Sequence, residues 1–522
     1  MLKIHTVPEG ENKSPDFDLK INGIDADLYS ARVSAMPFNT PWPGHQRPLD
    51  QTEMASFVSF EADEEVTLCA VAKRDFSDVT VRPLSKNVEI SVDGKEIRFT
   101  LKKHGAYTLE LDGFHNALHI FFNPIRDFLS ELKKDEAAGR TIFRYEPGIH
   151  NPGNVEVKSH STVFINAGAV VHGSFTAIDA EDVKIYGYGI IDGSLEKRER
   201  PDIPPEGSYN EYEDSVTKES ETRITPYDYD KPVPEGYDAF KQFCANHHIL
   251  HGCLRFYRCR NVNVSGVIMR DSSIYALLPA GCDNVCIDNA KTIGMWRYNS
   301  DGFDVFNSSN ITVTNCFLRN FDDCVVIKGI PGFDYRNNEN ILVSGCVIWC
   351  DWGRPLELGA ETSADEYRNI VFEDCDIIHG STINLDIQHH NRAKISNIVF
   401  DNIRVEYSKY QLPDQFQQSD DQQYTGTPNS GHPYLMAIPI YNSGLFAKDG
   451  LHGSASYVRF SNIQVIKDAE VPMPKSFFMG MDKEHSVSHI VIENLTVNGE
   501  KIDSLEKANV DCNEFVYDIT IK

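Results

Sequence analysis

A short phrase recurs along this 522-residue chain: Asn, an aliphatic residue, any residue, a second aliphatic, then something small or polar. It reads NVNVSG from Asn261, NVCIDN from Asn284, NITVTN from Asn310, NILVSG from Asn340, NIVFED from Asn369 and NIVFDN from Asn397. NIQVIK from Asn462 and HIVIEN from His489 continue it, and DVKIYGYGIIDG from Asp182 is an earlier copy. Successive copies from Asn261 start 23, 26, 30, 29 and 28 residues apart, then 65 and 27. Alternating aliphatics at this period are the pattern of a right-handed parallel β-helix, in which each coil contributes two or three short strands. One coil cannot bury its inner face alone, so coils stack, about 4.8 Å per rung. The repeated Asn suits a turn in which its amide bonds backbone or stacks on the Asn of the next coil. A leucine-rich repeat of similar length is disfavoured, because the aliphatics are Val and Ile at period two and no LxxLxL occurs.

Residues 1–125 read differently. VTLCAVA, VTVRPL, VEISV, IRFTL, YTLELDG and ALHIFFN alternate and are separated by turn residues, the signature of an antiparallel β-sandwich. Residues 126–145 are expected to link it, through a helix over roughly Ile125–Ala138, to a β-helix spanning 146–522. The fold class is therefore all-β. Two polar insertions, 195–250 and 408–455, interrupt the ladder and are expected to form walls of a cleft.

The formal net charge is −27, which argues against nucleic acid and anionic membrane surfaces as partners. MLKIHTVPEG carries no apolar h-region and no run of 18 apolar residues exists, so the expectation is a cytoplasmic chain without a membrane span. No CxxC pair occurs among the twelve cysteines, so no zinc cluster is expected. Cys282, Cys286, Cys316, Cys324, Cys346 and Cys375 fall inside the repeats, where a thiol serves as a small hydrophobe in a stack.

The chemistry concentrates in two adjacent coils. WRYNSDGFDVFNSSNITV holds Asp301 and Asp304, and FDDCVVIKG holds Asp322 and Asp323. Cys324–Ile327 read as a strand buried on both faces. Adjacent buried carboxylates are costly unless something stabilises them. Both phrases sit in similar phase, so Asp301 is expected beside the doublet on the next rung. Three acids on one face suit hydrolysis of a glycosidic bond. One, its pKa raised by like charges, protonates the leaving oxygen while the others hold a water. Room for that water needs carboxyls about 6.5–9.5 Å apart and gives inversion. A calcium site or a polar strand cap is the plainer alternative.

Residues 140–510 resemble the polygalacturonase family, glycoside hydrolase family 28, within the pectin-lyase-like β-helix superfamily. The likeness rests on GYGIIDGS, on NSDGFDV (299–305), similar to the family's N-T-D block, and on DDCVVIKG (322–329), similar to its double-Asp block. Asp301 and Asp323 are 22 residues apart, the family's spacing. The resemblance implies Asp322 as general acid, and Asp301 with Asp323 activating water, with no cofactor and no metal. Two blocks depart from the family. WGRPLELGAET (352–362) has Arg354 at the position of the family's His, and INLDIQ (383–388) carries Asp386 where the family's carboxylate-gripping R-I-K stands. Loss of those cations implies a neutral glycan rather than galacturonate. A sandwich ahead of the helix also resembles the dextranase and isopullulanase family, glycoside hydrolase family 49, which implies an α-glucan; galacturonan hydrolysis and a polysaccharide lyase are the enzyme alternatives. A non-catalytic glycan-binding protein is the other rival.

Around the acids, Asn299, Lys328, Trp352, Arg354, Glu357, Asp386, His389 and His390 are candidate substrate contacts. Trp296, Trp349 and Trp352 lie close to the acidic blocks, and indole faces stack well on sugars. Lys328 is also placed to stabilise ionised acids, and Glu361 is expected on a solvated face. The expected partner is a carbohydrate; oligomeric state is left open.

Overall fold

The computed structural model describes residues 1–35, 52–196, 252–297, 299–411, 432–442 and 450–522, with the backbone of two short strands, Gln415–Phe416 and Thr425–Gly426. The expected cleft walls fall mostly in 197–251, 412–431 and 443–449, outside the described residues.

Strands up to Asn123 form two packed sheets. One contains Phe17–Ile21, Val66–Ala72 and Glu96–Leu101, whose alternating burial presents Leu19, Leu68 and Phe99 to the core. The other contains Thr52–Ala62, Gly105–Leu111 and Leu118–Asn123. Pairing is antiparallel except that Leu118–Asn123 runs parallel to Thr52–Ala62. A helix, Phe128–Ala137, follows and is capped by Asp127, whose carboxylate accepts from the Ser130 N–H, satisfying an otherwise unpaired first-turn donor. The first rung of the solenoid starts at Thr141–Tyr145, which pairs with Ser161–Ile165, inside the stretch read as linker.

From there the chain winds as a right-handed parallel β-helix with three faces. The Asn phrases form one continuous parallel sheet that includes Arg260–Ser265, Asp283–Asp288 and Ser309–Thr314. We call this the ladder face. Each repeated Asn from Asn261 to Asn462 has φ between +54° and +58°, so the residue is a left-handed kink inside a strand rather than a turn between strands. Asn tolerates that conformation better than other non-glycine residues. Its amide then bonds its neighbour: Asn284 Nδ2 to Asn261 Oδ1 at 2.6 Å, Asn369 to Asn340 at 3.0 Å and Asn397 to Asn369 at 2.6 Å. The inner stack holds Val, Ile and Phe with Cys259, Cys282, Cys316, Cys346 and Cys375, whereas Cys286 is half-buried and lies outside it.

A second face carries Ile268–Arg270, Lys291–Ile293, Phe317–Asn320, Val347–Cys350 and Asp376–His379. Its outward Ile268, Ile293, Phe317, Val347 and Ile378 bury against Phe57, Phe121 and Ala31 of the sandwich. This is the docked face. The third is the cleft face, built from Leu277–Ala280, Phe303–Phe306, Val325–Gly329, Leu356–Thr362, Ile383–His389 and Tyr434–Pro439.

Candidate active site

The acids sit where the chain turns from the docked face onto the cleft face. Phe303 pairs with Val325, and Asp304 with Val326. The same alignment continues into the turn, where Gly302 N–H donates to Asp323 O at 2.7 Å and Phe303 N–H to Cys324 O at 2.8 Å. Asp301 therefore lies one rung from Asp323. On the next rung Cys324 N–H donates to Arg354 O, and Arg354 N–H donates to Asp323 Oδ1 at 2.9 Å. The column thus runs Asp301, Asp323, Arg354. Asp322 sits beside it, its Oδ1 accepting from Asp323 N–H at 3.2 Å. Gly353 makes this packing possible: a Cβ there would stand 2.4 Å from Asp323 N and 2.7 Å from Asp322 Oδ1. The three carboxylates are 1, 8 and 7 % exposed in chain order, almost withdrawn from solvent yet together.

Burial governs their ionisation. It pushes Asp301 up to about 7, with Lys328 opposing and Asp323 adding to the rise. It lifts Asp322 well above the usual carboxylate range, and the charges of Asp301 and Asp323 lift it further. Lys328 is not free to bind substrate as expected. It is 6 % exposed, and its Nζ stands 3.0 Å from Asp301 Oδ2, 3.0 Å from Asp304 Oδ1 and 3.7 Å from Asp323 Oδ2. Burial disfavours its charge, but Asp301 and Asp304 outweigh that and hold the ammonium well above the usual lysine range.

A second charged cluster lies on the following rungs. Glu357 pairs in register with Val326, and Asp386 with Glu357. Arg354 Nε is 3.3 Å from Asp386 Oδ2 and 3.8 Å from Glu357 Oε1. Both oxygens of Glu357 and of Asp386 lack an aligned hydrogen-bond donor among the described residues. Burial pushes Asp386 up to about 7, against the pull of Arg354, and lifts Glu357 well above its usual range.

The other candidates separate. Asn299 is half-buried at φ +53°, its Oδ1 buried without a hydrogen-bond partner among the described residues. Trp352 is half-buried and lies parallel to Phe321, centroids 6.4 Å apart. His390 lies 4.9 Å from the ring of Tyr441, and burial, followed by the Arg354 charge, lowers it to about 4. His389 is not a substrate contact: it is fully buried, one ring nitrogen 2.7 Å from Thr362 Oγ1 and the other 2.9 Å from Ala393 O. Trp296 and Trp349 are structural as well. Trp296 is 3 % exposed and donates to Asp271, and Trp349 lies on the docked face beneath the Arg319 guanidinium at 3.8 Å. Glu361 is half-buried rather than solvated. Sequence reasoning passed over Asp304 as a member of the site. The signal was available, since the alignment that sets Asp301 beside Asp323 sets Asp304 beside Val326, two residues from Lys328 on the same side of the strand.

Residues 241–437 match the model of the family described as Glycosyl hydrolases family 28. Endopolygalacturonase A of Aspergillus niger is 26% identical over 176 residues, 32% of this chain and 45% of its own length. Endopolygalacturonase I of Aspergillus aculeatus is 26% identical over 203 residues, 37% of this chain and 48% of its own. The chain thus spans less than half the length of these curated relatives. Among solved structures, Dex49A from Penicillium minioluteum superposes with a TM-score of 0.65 at 13% identity, covering 99% of this chain and 96% of that one, a likeness of fold. The acidic coils thus lie within the segment that is similar to the family 28 glycosyl hydrolases, carried on a right-handed parallel β-helix like that of Dex49A.

Proposed function

We propose that the chain is an inverting glycoside hydrolase acting on α-glycosidic bonds of a neutral poly- or oligosaccharide, with Asp322 as general acid and Asp301 with Asp323 activating water. The observation that carries this reading is the convergence of these three carboxyls at one edge of the cleft face in unlike surroundings. Asp322 has no cation at ion-pair distance among the described residues, and burial favours its protonated form, the state needed to donate to a leaving oxygen. Asp301 sits on the Lys328 ammonium and Asp323 on the Arg354 N–H, the better settings for accepting a proton from water. The reading calls for no cofactor.

A neutral substrate is supported by the second cluster. Arg354 is already shared between two buried carboxyls, and four of their oxygens lack an aligned donor among the described residues. Sugar hydroxyls supply donors, whereas a uronate would add a negative charge beside two carboxyls whose ionised forms burial already disfavours. Galacturonan is the second reading, favoured by the names of the curated relatives.

The test is reducing-end release from dextran, other α-glucans, galactans and polygalacturonate. Turnover of a neutral polymer, reduced about 10²–10⁴-fold in Asp322→Asn, is the expected result. Preference for polygalacturonate overturns the neutral assignment. An unsaturated, ultraviolet-absorbing product overturns hydrolysis, and full activity of Asp322→Asn overturns the acid.

A further inference from the structure

We propose that Asp304 is a positioning residue that, through Lys328, sets how much positive charge reaches Asp301. The inference rests on the reading of Asp301 as a carboxylate that activates water, and it adds a residue that reading does not use.

Asp304 is fully buried. It faces outward on the cleft strand Phe303–Phe306, paired in register with Val326. Its carboxylate competes for a single cation: Lys328 Nζ is 3.0 Å from Asp304 and 3.0 Å from Asp301, with Asp323 at 3.7 Å. The other groups facing the ammonium are the ring of Tyr275, 5.0 Å below it, and Glu361. Asp301 and Asp304, which share one buried ammonium at equal distance, titrate together. An opposite charge at this range favours the ionised form of a carboxyl, and a like charge disfavours it. Burial lifts Asp304 itself well above the usual carboxylate range, with Lys328 opposing; in its ionised form Asp304 acts on Asp301 twice with the same sign, by direct repulsion and by drawing Lys328 away. This assigns Lys328 to the acids rather than to the sugar. It also explains why a carboxylate stands on the cleft strand with no aligned donor of its own among the described residues.

The two partners make opposite predictions, which a role in packing alone does not. The full chain, labelled with ¹³C at the aspartate carboxyl, is titrated by NMR, and the Asp301 signal is identified by its loss in Asp301→Asn. In Asp304→Asn the Asp301 midpoint moves down by about one unit or more. In Lys328→Gln it moves up by a similar amount, and in Lys328→Arg it stays near the wild-type value. If dextran or polygalacturonate is turned over, the acid limb of kcat/KM follows in the same directions. Midpoints that stay fixed, or that move the same way in both variants, overturn the proposal. Should Asp304→Asn fail to fold, the Lys328→Gln and Lys328→Arg pair decides: the midpoint must rise when charge is lost and hold when it is kept. The titration needs no substrate. A chain that hydrolyses nothing would therefore sink the hydrolase reading without touching this result, and fixed midpoints would sink this proposal alone.

Discussion

Beneath the sandwich, Glu110, Glu406 and Asp376 are buried, and all six of their carboxylate oxygens are occupied. Arg82 and His379 take Glu110; Arg82 and the Leu84 N–H take Glu406; Ser85 and Arg404 take Asp376. One face away on the same solenoid, Asp304, Glu357 and Asp386 are buried as deeply. Among the described residues, none of their six oxygens has an aligned hydrogen-bond donor, and Lys328 and Arg354 meet them only as ion pairs. Buried polar atoms in folded proteins are nearly always satisfied. A filled set fits a face that holds two layers together, and the unfilled one fits the proposed substrate face, where sugar hydroxyls would supply the missing donors. The β-helix supplies both with one device, the parallel stacking of turns, which repeats an outward position every rung.

The contrast breaks most sharply if the filled face is opened. Arg82→Met leaves Glu110 and Glu406 facing each other without their cation, a loss expected at about 3–5 kcal/mol. Denaturant unfolding should register that loss while activity per folded molecule is unchanged. A loss under about 1 kcal/mol would mean that the docked face is held by its apolar contacts and that its charges are incidental.

On the cleft face a smaller effect of opposite sign is expected. Burial raises the folded-state pKa of Asp386 to about 7, against about 3.9 in an unfolded chain. Between those values the folded state keeps a proton that the unfolded chain has released, so the contribution of Asp386 to stability falls as pH rises through the window. Asp386→Asn removes that dependence. The melting temperature of the variant relative to the wild type should therefore be higher at pH 8 than at pH 5. A difference that does not vary with pH would mean that Arg354 keeps the carboxylate ionised throughout, and that this cluster is closed in the same way as the docked face.

Much of this was legible in the sequence, because a solenoid writes its geometry as repetition. The Asn phrases marked the ladder strands, and the 22-residue interval put Asp301 and Asp323 on neighbouring rungs. The alternating runs before Asn123 gave two sheets, although nothing in Leu118–Asn123 distinguishes its parallel partner from an antiparallel one. What the repeat does not encode is direction. Trp349 is close in sequence to the acids but falls on the docked face, because the chain turns a corner between Cys350 and Leu356. His389 ends the cleft strand yet points into the protein, where Thr362 and Ala393 claim both ring nitrogens. Lys328 reaches back along its own strand to the preceding rung, a contact that depends on side-chain length rather than on spacing.

The most direct test of the central claim, a water held by Asp301 and Asp323 opposite an acid at Asp322, is the anomeric form of the first product. ¹H NMR of the freshly released reducing end, recorded before mutarotation on whichever neutral glycan is cleaved, should report the configuration opposite to that of the bond broken. Retention of configuration would require one of these carboxylates to attack the sugar itself and would contradict the account.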